Sequence, residues 1–226
     1  KMGIKVNGIY REVEYRICKR CISDSSCPGI TFDEKDICNF CHLHNRWAEI
    51  YPNDLRGEAH LKEMISKIKK DGRGKKYDCV VGISGGRDST YILYLTKKKY
   101  GLRPLAVHFN DGFDNPVGGE NMFNAVKILN VDLITITSDW KEARDLKIAF
   151  LKASVPELNE GTDVAIGAAC YGVAHKENIK HIIFGQSFRT EGIKPISWAY
   201  FEGEYLENVH KEFGTIPLRE WQPDNP

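Results

Sequence analysis

The stretch VVGISGGRDST, residues 80–90, decides how this chain is read. An apolar run from Tyr77 to Ile83 has the length and composition of a buried strand. It leads into Ser84-Gly85-Gly86-Arg87-Asp88-Ser89 and then into DSTYILYLTKKKY (88–100), which reads as a helix. A strand, a glycine turn and a helix together make an anion cradle. Gly85 and Gly86 permit positive φ and close backbone approach, and the helix aims free N–H groups and its positive dipole end at negative charge. Ser84 and Ser89 add hydroxyl donors. Asp88 is itself negative, so beside a phosphate it reads as a helix N-cap, a Mg²⁺ ligand, or both. Arg87 either adds a phosphate contact or faces solvent. A Walker A loop would carry Lys-Ser/Thr after its second glycine, and a dinucleotide loop would read G-x-G-x-x-G; neither is present, so γ-phosphate transfer and dinucleotide binding are not expected.

The same alternation continues on the C-terminal side. RPLAVHFN (103–110) is a second strand, GENMFNAVKILN (119–130) a helix, and VDLITITS (131–138) a third strand. WKEARDLKIAFLKAS (140–154) and TDVAIGAACYGVAHKEN (162–178) are helices, the latter capped by Thr162 or Asp163, and HIIFGQS (181–187) is a fourth strand. Short apolar strands alternating with helices predict an α/β fold: a doubly wound parallel sheet with helices on both faces. Such sheets bind ligands beyond the carboxyl ends of their strands. The loops at 84–89, at HFNDGF (108–113) and at GQSFRTEG (185–192) are therefore expected at one edge. Residues 1–48 form a cysteine-rich module and 49–76 a linker. Within the linker, an amphipathic helix over 54–70 presents Leu61, Met64, Ile65 and Ile68. Residues 77–192 form the phosphate-binding domain, and 193–226 open a C-terminal region, where an aromatic, acidic strand or turn precedes a helix.

Seven cysteines are unevenly placed, five of them between residues 18 and 41. Cys18-x-x-Cys21 and Cys38-x-x-Cys41 stand sixteen residues apart. Two such knuckles present four thiolates to one ion, the spacing of a zinc ribbon, and a full thiolate set leaves no open position for catalysis. The expected metal is a structural Zn²⁺, with an iron–sulfur cluster as the alternative. Cys27 reads as an ordinary turn residue, and His42 and His44 as exposed polar neighbours. The net charge of +1 makes no global case for a nucleic-acid partner. No apolar run has the length of a membrane span, and the N-terminus lacks a secretory pattern. A cytoplasmic protein without a membrane partner is expected.

Several stretches resemble one family. SGGRDS (84–89) is similar to the PP-loop of the adenine-nucleotide α-hydrolase fold. YRICKRCISDSSCPGITFDEKDICNFC (15–41), DWKEARDLKIAFLKASVPE (139–157), GTDVAIGAACYGVA (161–174) and GQSFRTEG resemble the bacterial N-acetyl sugar amidotransferases of the WbpG type, which act in O-antigen and related lipopolysaccharide and surface-glycan biosynthesis. The resemblance covers most of residues 15 to 214. It implies an ATP-dependent ligase that adenylates the acetamido oxygen of a nucleotide-linked sugar. Ammonia from a partner glutaminase subunit then displaces AMP and leaves an acetamidino group. The residues themselves agree in offering no convincing Cys-His-Glu glutaminase set.

On this resemblance Ser84, Gly85, Gly86, Arg87, Asp88 and Ser89 hold pyrophosphate, with Asp88 on Mg²⁺. His108, Phe109 and Asn110 pass the adenine, and Gly185 permits close approach of the nucleotide. Asp88, Asp163, Arg189 and Glu191 are the candidate catalytic residues. Asp163 serves as metal ligand, substrate positioner or helix cap. Arg189, Thr190 and Glu191 contact α-phosphate or sugar, or form a solvated loop. Lys152 pairs with a phosphate or lies on the surface. Two departures stand out: Cys27 replaces an acidic residue, and the family generally continues past REWQPDNP, so a further C-terminal part is implied. The rival readings are a tRNA thiolase, which needs cysteines near the loop for sulfur transfer or for an iron–sulfur cluster, and a non-catalytic adenine-nucleotide sensor.

Overall fold

The structure is a computed structural model that describes residues 2–6, 9–193, 195, 198 and 202–219. Two compact units emerge, Lys1–Glu58 with Ser187–Ala199, and Ala59–Gln186 with Tyr200–Pro226. The sequence reading had placed 187–192 with the phosphate-binding domain; these residues cluster instead with the cysteine module.

The first unit opens with a hairpin of β1 (Met2–Val6) and β2 (Ile9–Val13), paired antiparallel from Met2↔Val13 to Val6↔Ile9. A cysteine-bearing turn region leads to α1 (Asn39–Ile50), whose N-cap is Cys38. The short helical turn α7 (Phe188–Glu191), capped by the Ser187 side chain on the Arg189 N–H, completes the unit. Its small core gathers Cys18, Cys38 and Cys41 with Ile30, Phe32, Ile37 and Phe40.

The second unit is built on four parallel strands. These are β3 (Cys79–Gly82), β4 (Pro104–Asn110), β5 (Leu133–Thr137) and β6 (Ile182–Ile183), in the order β5-β4-β3-β6. The strand period of two sorts their side chains between two helical layers. Cys79, Val81, Ile83 and Ala106 face Ile68 of α2 (Leu55–Asp71), Leu93 of α3 (Arg87–Tyr94) and Met122, Val126 and Leu129 of α4 (Pro116–Leu129). Val80, Leu105 and Val107 face Cys170, Val173 and Ala174 of α6 (Glu160–Lys176). The sheet is thus covered on both faces, as its nearly continuous apolar strands require. Helix α3 runs on into a π-helical turn, Leu95–Lys99, where the buried Thr96 hydroxyl donates to the Leu93 carbonyl at 2.8 Å.

Local chemistry sets the helix ends. Asn115 caps α4 through the Val117 N–H with Pro116 in the first turn, and Asn130 ends the helix in the left-handed conformation. Asp139 caps α5 (Trp140–Ala153) through Lys141 and Glu142. A further cluster, Phe150 with Leu206 and Val209, joins α5 to α8 (Gly203–Phe213).

Some expectations shift. Ile68 is buried and Ile65 packs on the core, but Leu61 and Met64 of α2 are exposed, so the apolar face of this helix is narrower than its spacing suggests. The N-cap of α6 is Asn159, three residues before Thr162, which places Thr162 and Asp163 inside the helix. Strand β6 is only two residues long, and Ser187 opens α7 rather than ending a strand. The expected strand or turn ahead of the last helix falls mostly outside the described residues. Among the described residues no helix is long and apolar enough to cross a membrane.

Candidate functional site

Strand order reverses at β3: β4 and β5 extend to one side and β6 lies on the other. This is the topological switch point of the sheet, and the crevice beyond the ends of β3 and β6 is where open α/β sheets take ligands. The Ser84–Ser89 turn occupies this position. Gly85 adopts φ +74, and Gly86 is the N-cap of α3 without a side chain to satisfy the first-turn N–H groups. The two serines brace the turn. Ser89 Oγ accepts from the Ser84 N–H at 3.2 Å and lies 3.1 Å from Ser84 Oγ. The Gly86 N–H points to Ser84 Oγ at 3.4 Å.

Asp88 stands in the first turn of α3 and does not cap it. Its exposed carboxylate meets the Arg87 guanidinium at 3.1 Å, and the Arg87 side chain is 91% exposed. Gly185, just past β6, abuts the same helix start: a Cβ there would lie 2.9 Å from the Asp88 carbonyl carbon and 3.0 Å from the Ser89 nitrogen. Only glycine lets the chain past β6 approach the start of α3 to this distance. The structure therefore brings Ser84–Ser89 and Gly185 together.

The end of β4 carries the expected Phe109 and Asn110, and the loop after it brings in Asp111, with Lys147 of α5, which pattern reading did not single out. Phe109 lies on the α6 side of β4 and lines a cavity of about 230 Å³ with Leu146, Leu158, Thr162 and Ala165. Asn110 Oδ1 accepts from the Gly112 N–H at 2.7 Å. Asp111 is buried, 3.1 Å from Lys147 Nζ, and accepts from the Thr162 hydroxyl at 2.7 Å. Burial pushes the Asp111 carboxyl up, but hydrogen bonds from Thr162, the Phe113 N–H and Lys147 bring it below the ordinary carboxylate value. Lys147 also reaches Asn159 Oδ1 and Thr162 Oγ1, each at 3.0 Å, and so ties the middle of α5 to the start of α6 and to the loop after β4. The only trace of Asp111 in the sequence is its place beside Gly112 in HFNDGF; Lys147 has none. Asp163 follows Thr162 in the first turn of α6, its N–H on the Asn159 carbonyl at 2.9 Å.

Arg189 and Glu191 belong to the first unit. The Arg189 guanidinium donates to the Tyr51 carbonyl at 2.7 Å and the Ala48 carbonyl at 3.4 Å, and it lies over the Phe188 ring. It thereby supplies a cation at the carboxyl end of α1. Glu191 Oε1 accepts from the Ser187 N–H at 3.3 Å. Lys152 Nζ donates to the Phe213 carbonyl at 3.3 Å and caps α8, which takes it out of the phosphate reading.

The four cysteine sulfurs lie within 4.8 Å of one another. Cys18 and Cys41 Sγ are 3.8 Å apart, and Cys21 and Cys38 Sγ 3.5 Å. A tetrahedral Zn²⁺ with bonds of about 2.3 Å sets sulfurs about 3.8 Å apart, so the set fits one such ion. Backbone N–H groups of Arg20 and Cys38 point at Cys18 Sγ at 3.4 and 3.3 Å, and that of Cys41 at Cys38 Sγ at 3.4 Å, as thiolate ligands require. His42 is outside the set and pairs with Asp33 at 2.9 Å. Cys79 and Cys170 are fully buried. Burial, with Asp78 adding to it at Cys79, pushes their thiols up to about 12 and about 11.

No family model matches the chain. A curated relative, protein MJ1599 of Methanocaldococcus jannaschii, is 30% identical over 126 residues, which is 55% of this chain and 44% of that protein. The chain thus spans less than half the length of the curated relative it matches. Among solved structures, an NH3-dependent NAD synthetase from Campylobacter jejuni is similar over 67% of this chain and 70% of its own, with TM-score 0.44 and 17% identity. An NMN synthetase from Francisella tularensis covers the same shares, with TM-score 0.42 and 16% identity. The U34-tRNA thiolase NcsA of Methanococcus maripaludis, a structure with its 4Fe-4S cluster, covers 89% of this chain and 74% of its own, with TM-score 0.37 and 13% identity.

Proposed function

We propose that this chain is a cytoplasmic ATP-dependent ligase that converts the acetamido group of a nucleotide-linked sugar into an acetamidino group. The observation that carries the reading is the Ser84–Ser89 turn at the switch point, closed against Gly185. An amide oxygen is a poor leaving group until it is activated. It attacks the α-phosphorus of ATP, and pyrophosphate departs toward the loop N–H groups; Asp88 would hold a Mg²⁺, which would neutralise charge on the phosphates. Ammonia then adds to the activated carbon, the C–O bond breaks, AMP leaves, and a proton passes to a base. Asp163 is the candidate carboxylate for that proton or for orienting the incoming ammonia. The ammonia comes from a partner glutaminase. A structural Zn²⁺ on the four cysteines stabilises the N-terminal module. Arg189 and Glu191, in the segment that follows β6, are the further candidates for contacts to the α-phosphate or the sugar.

The thiolase alternative draws no support from Cys79 and Cys170, because a nucleophilic sulfur needs a lowered thiol pKa and access. The test is nucleotide product analysis with ATP, Mg²⁺, an ammonium salt and a panel of N-acetylated nucleotide sugars, with bulk tRNA in a parallel tube. AMP is expected only where sugar and ammonia are both present. AMP formed with tRNA alone, or ADP in its place, overturns the reading.

A further inference from the structure

His108 is buried at the end of β4, and both of its ring nitrogens are used inside the protein. Nδ1 lies 3.0 Å from the Ile83 carbonyl oxygen, and Nε2 lies 2.9 Å from Asp114 Oδ2. A backbone carbonyl can only accept, so Nδ1 carries a hydrogen. Nε2 is held at its other edge by the Asp114 carboxylate. The ring offers no free polar atom to an adenine.

What it joins is informative. Ile83 is the residue before Ser84. Asp114 is the residue before Asn115, the cap of α4, and Gly118 in the first turn of α4 abuts Gly85. The two ends of the histidine tie therefore land on the two pieces of backbone that shape the glycine turn. Neither Ser84 nor Gly85 has a bulky side chain to hold it in register. Support for the turn has to come from β3 behind it and α4 beside it.

We propose that His108 is a positioning residue for the phosphate loop, acting through Ile83 on one side and Asp114 on the other. Pairing with Asp114 fixes the ring, and the ring fixes the height at which β3 delivers Ser84–Gly86 to the anion. Convergent N–H donors lose effect when their placement is free to drift, so the tie acts on ligand affinity rather than on the chemical groups in contact with the ligand. This inference rests on the reading of the loop as a phosphate site.

The test measures binding of Mg-ATP and of pyrophosphate to the full chain by calorimetry, with long-range ¹H–¹⁵N spectra of the histidine rings. The His108 signals are assigned by their loss in His108→Asn. A hydrogen on Nδ1, facing the Ile83 carbonyl, is expected in the wild type. Asp114→Ala and His108→Asn should weaken both ligands by about tenfold or more, as expected for a lost hydrogen bond to a charged group. Asp114→Asn, whose amide still hydrogen-bonds Nε2, should retain most of the affinity. Asp114 is partly exposed, so Asp114→Ala is expected to fold, and its melting temperature checks this. Wild-type affinity in both disruptive variants overturns the proposal. If the wild type binds neither ligand, the phosphate reading fails instead. An Nδ1 without a hydrogen in the wild type, which could not donate to the Ile83 carbonyl, overturns the tie whatever the ligand does.

Discussion

Gly85 and Gly118 face each other so closely that a Cβ on Gly85 would lie 1.8 Å from the Gly118 carbonyl oxygen. Gly85 also holds φ +74, a region where a side chain is strained. Gly85→Ala is therefore expected to combine backbone strain with a clash against main chain, costing about 2 kcal/mol or more. Gly119, one residue on in α4, has nothing within 4 Å of its Cβ position. Gly119→Ala should stabilise by about 0.5–1 kcal/mol through helix propensity and a less flexible unfolded chain. Thermal melts of the two variants, run side by side, should move in opposite directions.

Asp88 carries no packing role, since its side chain is more than half exposed and meets only the neighbouring Arg87 in an ion pair. Asp88→Ala should leave the melting temperature nearly unchanged and abolish AMP formation. Near-normal turnover in that variant would remove the Mg²⁺ role.

Asp145 anchors the segment after α8. Its buried carboxylate accepts from the Thr215 hydroxyl and N–H, from the Ile216 N–H at 3.3 Å, and pairs with His210 Nε2 at 2.8 Å. The Thr215 hydroxyl, foremost among these contacts, and the other hydrogen bonds hold its carboxyl well below the usual carboxylate range, against the upward push of burial. A depressed folded pKa stabilises the fold above the unfolded value, near 3.9, and that stability is lost as pH falls through the folded value. Asp145→Asn should lose stability at neutral pH, and the gap to the wild type should narrow as pH falls below about 4. Melting temperatures between pH 7 and pH 3 check the sign; a gap that widens toward acid contradicts it.

The four-cysteine set makes a metal prediction. Elemental analysis should find one zinc ion per chain, lost in Cys38→Ser. Chelation should melt the N-terminal module, because its core is little more than the cysteines and a few apolar neighbours. An iron signal with visible absorbance would replace zinc by a cluster.

Much of this molecule is legible along the chain. The apolar strand runs, the Ser-Gly-Gly turn and the two C-x-x-C knuckles are local patterns, and their physics acts within a few residues. That is why sequence by itself determined the α/β class, the place of the glycine turn between strand and helix, and the gathering of the four cysteines. The partners of those elements are a different matter. Nothing near Asp145 announces His210 or Thr215, and nothing near Asp111 announces Lys147. The helical spacing of Leu61 and Met64 does not say that the core stops short of them. Lys152 finds the end of α8 only because α5 and α8 pack together. These pairings join residues tens of positions apart, and they exist only once the strand order β5-β4-β3-β6 is set. The tertiary structure alone decided them, because packing and burial, not local propensity, choose which distant groups share a hydrogen bond.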